Sequence, residues 1–156
     1  MKIQWKKLLI ALAIPLAVGA LSALITGGMG QSYREFLQPP LSPPGWVFPV
    51  VWTVLYLLMG YASYRVYTSS ADETQRKKAL TLYFAQLALN FLWSPIFFGL
   101  GWYLVALFVL VALWILIYLT MRQFSAIDCL AGDLLLPYIL WVTFAAYLNL
   151  GVFFLN

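Results

Sequence analysis

The chain has 156 residues, of which 64% are apolar, 18% aromatic and only 9% charged, with a net charge of +4. That balance lies far from a water-soluble domain and makes lipid the main solvent. With no histidine and one cysteine, Cys129, the sequence excludes a disulfide framework, the usual zinc and haem ligand sets and a Ser-His-Asp arrangement.

Five apolar runs are each long enough to cross a hydrocarbon core of about 30 Å as a helix. The first, 8–27, follows Lys2, Lys6 and Lys7 and carries Ala11, Pro15, Gly19, Ala23 and Gly27 at four-residue spacing. A stripe of small or helix-bending residues lets helices approach closely, either within the bundle or across a dimer face. The basic start and the "VGA" at 18–20 also fit a signal peptide, but the run has full membrane length and the stripe would be wasted on a discarded segment.

Residues 28–45 form a loop that ends in "PPLSPPG". Proline pairs favour stiff, extended backbone, so this segment reads as a preformed lid. Before it, Ser32-Tyr33-Arg34-Glu35 has the form of a capping box, which predicts a short helix carrying Tyr33. The second span, 46–64, has Pro49 in its first turn, where a missing N–H is tolerated. The third, 79–100, places Gln86, Asn90 and Ser94 on one face. These bond between helices or, for Asn90, point into a cavity. The fourth span is 102–121 and the fifth 129–155. Pro95 and Pro137 lie inside their spans, and each predicts a kink that frees a carbonyl.

Positive residues collect on one side. With five spans, Lys2, Lys6, Lys7, Arg65, Arg76, Lys77, Lys78 and Arg122 share the side of the N-terminus, and only Arg34 lies opposite. This predicts a cytoplasmic N-terminus and an external Asn156 in a cell membrane. The charge thus reports topology and not nucleic-acid binding. No ionisable residue lies near the centre of a span, so coupling to a buried carboxylate is not expected.

Trp5, Trp46 and Trp102 sit near span ends, where an interfacial belt belongs. Trp52 with Tyr56, Trp93 with Phe97, Trp114 with Tyr118, and Tyr138 with Trp141 lie deeper, each pair spaced to share a helix face. Most such stripes are core. Several indoles converging from different helices also make flat apolar walls with a few N–H donors, which suits a flat ligand.

The segments "PPGWVFPVVWTVLYLLMG" (43–60), "QLALNFLWSPIFFG" (86–99) and "LLLPYILWVTFAAYLN" (134–149) resemble, in register, the TspO/MBR family of translocator proteins and tryptophan-rich sensory proteins, in a bacterial member. The resemblance implies an all-α integral membrane protein, a five-transmembrane-helix bundle forming one domain over 1–156, usually a homodimer. It also implies a ligand pocket under the first external loop for porphyrins such as protoporphyrin IX, with Tyr33, Pro44, Trp52, Asn90, Trp93, Tyr138, Trp141 and Ala145 as its contacts. Trp52 and Trp141 match the indoles tied to light-dependent porphyrin degradation in some members. No cofactor or metal is implied; the expected partners are a tetrapyrrole, membrane lipids and a second copy of the chain.

Two departures stand out. Ser32 and Leu41 occupy lid positions where many members carry tryptophan, which reduces the contact expected from the lid. After Leu148 the chain reads "NLGVFFLN", without the tyrosine and basic residue of the family's sterol motif. The functional expectation is therefore a porphyrin receptor or sensor, with transport of porphyrins or lipids as the alternative.

Overall fold

The computed structural model describes residues 2–27 and 37–156. Tyr33 and the Ser32–Glu35 capping pattern lie outside the described residues. Five helical spans run Trp5–Thr26, Val47–Tyr67, Glu73–Gly99, Tyr103–Ile127 and Cys129–Leu155, each apolar and long enough to cross a bilayer. We label the helices α1 (Trp5–Thr26), α2 (Val47–Tyr67), α3 (Glu73–Ser94), α4 (Tyr103–Ile127), α5 (Cys129–Asp133) and α6 (Leu136–Leu155). No strand occurs among the described residues. With every span helical, the backbone satisfies most of its own hydrogen bonds at membrane depth, the exceptions being the carbonyls one turn before a proline.

The span ends differ from the expected ones where polarity and helicity part company. α3 begins at Glu73, six residues before the apolar run, because the Glu73–Lys78 turn is polar yet made of good helix formers. α4 continues to Ile127, beyond the expected end at 121. The fifth span is not continuous. It breaks at Leu134–Leu135, and Pro137 falls in the first turn of α6, where its missing N–H costs nothing, so the expected kink inside one helix is replaced by a break before it. Pro95 does distort its span: α3 passes into a π-helical turn, Pro95–Gly99, closed by the Leu100 N–H on the Pro95 carbonyl at 2.9 Å.

The small-residue stripe of α1 packs within the bundle at two of its positions. A Cβ on Gly60 of α2 would lie 2.7 Å from the Ala11 carbonyl oxygen, and a Cβ on Gly19 would lie 2.2 Å from the Tyr56 ring. The Ala11 carbonyl is the acceptor that Pro15 leaves without its helical donor, so the bare Gly60 backbone meets the helix where it is already perturbed. α1 ends where Gly27 takes the left-handed conformation at φ 82° and returns its N–H to the Ala23 and Leu24 carbonyls.

α1 packs on α2 and α3, α3 on α4, and α4 on α5 and α6. Between α2 and α6 the backbones stay apart and aromatic rings fill the gap: Phe48 meets Trp141 edge-on at 5.8 Å, and Trp52 meets Tyr138 edge-on at 6.1 Å. Three of the four expected aromatic pairs stack along their helices: Trp52–Tyr56 at 5.6 Å, Trp93–Phe97 at 5.0 Å and Trp114–Tyr118 at 5.9 Å. The Trp114–Tyr118 pair faces outward on α4 and is not core. Tyr138 and Trp141 do not pair with each other but point to different neighbours on α2. Trp5, Trp46 and Trp102 are all exposed at helix starts, as interfacial residues should be.

The basic residues gather at one end. Lys2 and Arg65 line one hollow there with Asp128, and Lys7 and Arg76 line another. The Arg65 Nε–H donates to Asp128 Oδ2 at 2.7 Å, the one ion pair among the described residues, and Asp128 Oδ1 accepts from the Leu130 N–H at 3.0 Å as the cap of α5. Partial burial disfavours the Asp128 carboxylate, but the Arg65 guanidinium and the Ala131 and Leu130 amides more than offset it and hold the pKa below the ordinary 3.8.

Candidate functional site

Pro95 shapes the upper half of the bundle, the end opposite the lysines. Pro95 has no N–H for the Phe91 carbonyl one turn back. The Ser22 hydroxyl supplies the missing donor from α1, at 2.9 Å, and one turn on Thr26 Oγ1 and Ser94 Oγ lie 3.3 Å apart. These bonds hold α1 against α3. Beside them a cavity of about 290 Å³ opens between α1, α2 and α3.

Each helix presents different chemistry to that cavity. α1 gives small residues, Gly19, Ala20 and Ala23; α2 gives Trp52 and Tyr56; and α3 gives Asn90 and Trp93. The small residues leave the room, and the indoles form the walls. Asn90 is the polar centre. It accepts from the Tyr56 hydroxyl at 2.8 Å and donates to the Tyr138 oxygen at 2.7 Å, while Tyr138 donates onward to Gln86 Oε1 at 2.6 Å. All four side chains are buried, and the chain of bonds ties α2, α3 and α6 together at membrane depth. Both readings of Asn90 thus apply, since it bonds between helices and lines a cavity.

On the other side of Trp93 lies a cleft of only about 10 Å³, lined by Ser42, Phe48, Phe98 and Ala145 among others. Trp93 borders both spaces. Its indole N–H is held by Asn149 Oδ1 at 3.0 Å, and the Asn149 amide donates in turn to the Tyr103 carbonyl at 2.8 Å. Trp141 is partly buried against Phe48, and its own indole N–H has no hydrogen-bond partner among the described residues.

The described part of the lid is a strap fastened to α6. Pro39 is buried so closely on Gly151 that a Cβ there would lie 2.5 Å from the proline ring. The Tyr147 hydroxyl donates to the Pro40 carbonyl, and the Asn156 side chain bonds both the Leu37 N–H at 3.1 Å and the Leu37 carbonyl at 2.9 Å. Ser42 turns back to the Pro39 carbonyl at 2.7 Å, with Leu41 between them at φ 70°, a left-handed conformation that a leucine adopts only when its neighbours impose it.

Of the residues expected to contact a ligand, Trp52, Asn90 and Trp93 line the larger cavity together. Tyr138 stands one layer behind, on the far side of Asn90. Ala145 lines the small cleft, Trp141 packs beside Phe48, and Pro44 is exposed where the strap enters α2 and accepts from the Val47 N–H at 3.0 Å. Sequence reasoning missed Gly19, Ser22 and Tyr56 as site residues. For Ser22 the available signal was Pro95, whose freed acceptor demands a donor from somewhere.

The helices and this cavity define a multi-pass integral membrane protein with an indole-walled chamber in one half of its bundle. Residues 11–155 match the model of the TspO/MBR family, and the chain belongs to that family. It is 38% identical over 156 residues to the tryptophan-rich sensory protein of Cereibacter sphaeroides, covering 100% of this chain and 95% of that one. It is also 38% identical to protein CrtK of Rhodobacter capsulatus, over 88% of this chain and 85% of that one. The human translocator protein is 40% identical over 121 residues, 75% of this chain and 70% of its own.

Proposed function

We propose that the protein is a receptor for porphyrins of the protoporphyrin IX type, taken up between Trp52 and Trp93. The observation that carries this reading is the cavity of about 290 Å³ with two indole walls and the Asn90 amide in its lining. Flat aromatic walls suit a planar macrocycle, and an amide suits its polar edge. A volume near the lower limit for ligand sites calls for enlargement. Rotation of Trp93 off Asn149 joins the cavity to the cleft at Ala145, and displacement of the rings between α2 and α6 brings Tyr138 and Trp141 to the ligand. The names of relatives, sensory in one case and translocator in another, fit a ligand-responsive membrane protein.

In this reading Trp52 and Trp141 also serve light-dependent loss of the porphyrin. A photo-excited macrocycle takes an electron from an indole, and dioxygen is the terminal oxidant. The Lys-rich end faces the cytoplasm, following the positive-inside tendency. Two copies assemble through outward helix faces. The test is titration of the detergent-solubilised protein with protoporphyrin IX in the dark, followed by illumination. Saturable quenching of tryptophan fluorescence and subsequent bleaching, slowed in the Trp52→Phe/Trp141→Phe variant, support binding with chemistry. Saturable binding with no protein-dependent bleaching leaves a receptor without photochemistry, and vectorial flux in sealed vesicles would instead make it a transporter.

A further inference from the structure

At the Lys-rich end, remote from the indole-walled cavity, two hollows meet. One, of about 260 Å³, is an apolar groove between α1, α2 and α3, lined by Ile10, Ile14, Leu80 and Phe84 with Tyr83 in its wall. The other, of about 330 Å³, is polar and includes Gln4, Ser69 and Arg76. Lys7 and Tyr67 line both, so the groove runs into the polar hollow without interruption.

Lys7 Nζ stands 5.7 Å from the Tyr67 ring centroid, and Arg76 donates to the Ser69 carbonyl at 3.1 Å. Neither cation has a carboxylate partner among the described residues, where the ion pair is Arg65–Asp128. Two uncompensated positive charges therefore flank the mouth of an apolar groove. Tyr83 is 1% exposed, with the Ser63 hydroxyl beside its own. Tyr83 lies seven residues from Arg76 along α3, roughly 10 Å deeper at the helical rise. Cations and apolar groove thus follow one another in the order of phosphate and acyl chain.

We propose that this groove holds one anionic phospholipid of the surrounding leaflet, its phosphate between Lys7 and Arg76 and an acyl chain along α1 and α3. Basic pockets between membrane helices select anionic headgroups over zwitterionic ones by charge. The site is distinct from the porphyrin cavity and does not depend on that reading.

Native mass spectrometry of the full chain, released from micelles with equal amounts of phosphatidylglycerol and phosphatidylcholine of identical chains, tests this. The expected result is one retained phosphatidylglycerol per chain. In the Lys7→Gln/Arg76→Gln variant retention falls roughly thirtyfold, from the usual effect of two basic residues near a membrane surface. The Leu80→Trp variant, which fills the groove and leaves both charges, also loses the lipid; circular dichroism verifies that each variant is folded. Equal retention of the two lipids, unchanged retention in the charge variant, or capture of a free fatty acid in place of phospholipid would overturn the proposal. Loss in the charge variant with full retention in Leu80→Trp would also overturn it, since that pattern means loose attraction of headgroups without a seated chain.

Discussion

The Ser22 hydroxyl donates a 2.9 Å hydrogen bond to the Phe91 carbonyl, the acceptor that Pro95 leaves without a helical N–H. A serine on the first span thereby completes the backbone of the third. Ser22→Ala should destabilise the bundle by about 1 kcal/mol, because the carbonyl is then unsatisfied away from water. In a Pro95→Ala background the helix supplies its own donor, and the same Ser22→Ala change should cost close to nothing. Unfolding midpoints of the four proteins in one detergent give the coupling directly. Equal costs in both backgrounds would disprove the link.

Asn90 holds two tyrosines from two other helices, so its loss should cost more than loss of either partner. Asn90→Ala strips the Tyr56 hydroxyl of its acceptor and the Tyr138 oxygen of its donor. We expect about 1–3 kcal/mol for Asn90→Ala and under about 1 kcal/mol for Tyr56→Phe, measured by the same unfolding assay. A Tyr56→Phe cost equal to that of Asn90→Ala would show that the network does not centre on the amide.

Acid should loosen the Lys-rich end first. Asp128 has a native pKa below the ordinary 3.8, so the stability it contributes is present above that value and is lost as the pH falls through the lowered native one. Both partners of the Arg65 pair are partly exposed, which limits the effect to about 1 kcal/mol or less. The thermal midpoint should therefore fall between pH 5 and pH 2.5 by more in the parent than in Asp128→Asn, the two converging at the acid end. Parallel curves would contradict this assignment.

The strap should open when its fastenings to α6 are cut. Tyr147→Phe removes the donor to the Pro40 carbonyl, and Gly151→Val drives a side chain into Pro39. Both should accelerate amide hydrogen exchange in residues 41–47 while leaving α4 unchanged. Faster exchange throughout the chain would mean global destabilisation instead.

The spans were legible in the sequence because hydropathy and length act locally, and the bundle has no choice but to be helical in lipid. Their ends were less so. The Glu73–Lys78 turn looks like a linker to any hydropathy reading, though its residues form helix readily. Pro137 was read as a kink because the apolar run passes through it, whereas the chain breaks two residues earlier. Of the site, Trp52, Asn90 and Trp93 were found through family motifs, and the structure brings these three to one cavity. Ser22 carried no local signal, and the stripe that includes Gly19 signalled close approach without its partner, since both roles are set by Pro95 and Tyr56 on other helices. The Arg65–Asp128 bond is likewise made only by folding, which brings the end of α2 to the start of α5.

The central claim is that a porphyrin enters the cavity between Trp52 and Trp93. Ala23 lines that cavity from α1 and carries no hydrogen bond of the polar network, so Ala23→Phe fills the space while leaving every member of that network in place. Dark titration of protoporphyrin IX by tryptophan quenching, in parent and Ala23→Phe proteins of matched thermal stability, is the most direct measurement. The account predicts saturable quenching in the parent and at least about tenfold weaker binding in the variant, the cost of roughly 1.4 kcal/mol in lost contacts. Unchanged affinity in Ala23→Phe, or no saturable binding in the parent, would contradict it.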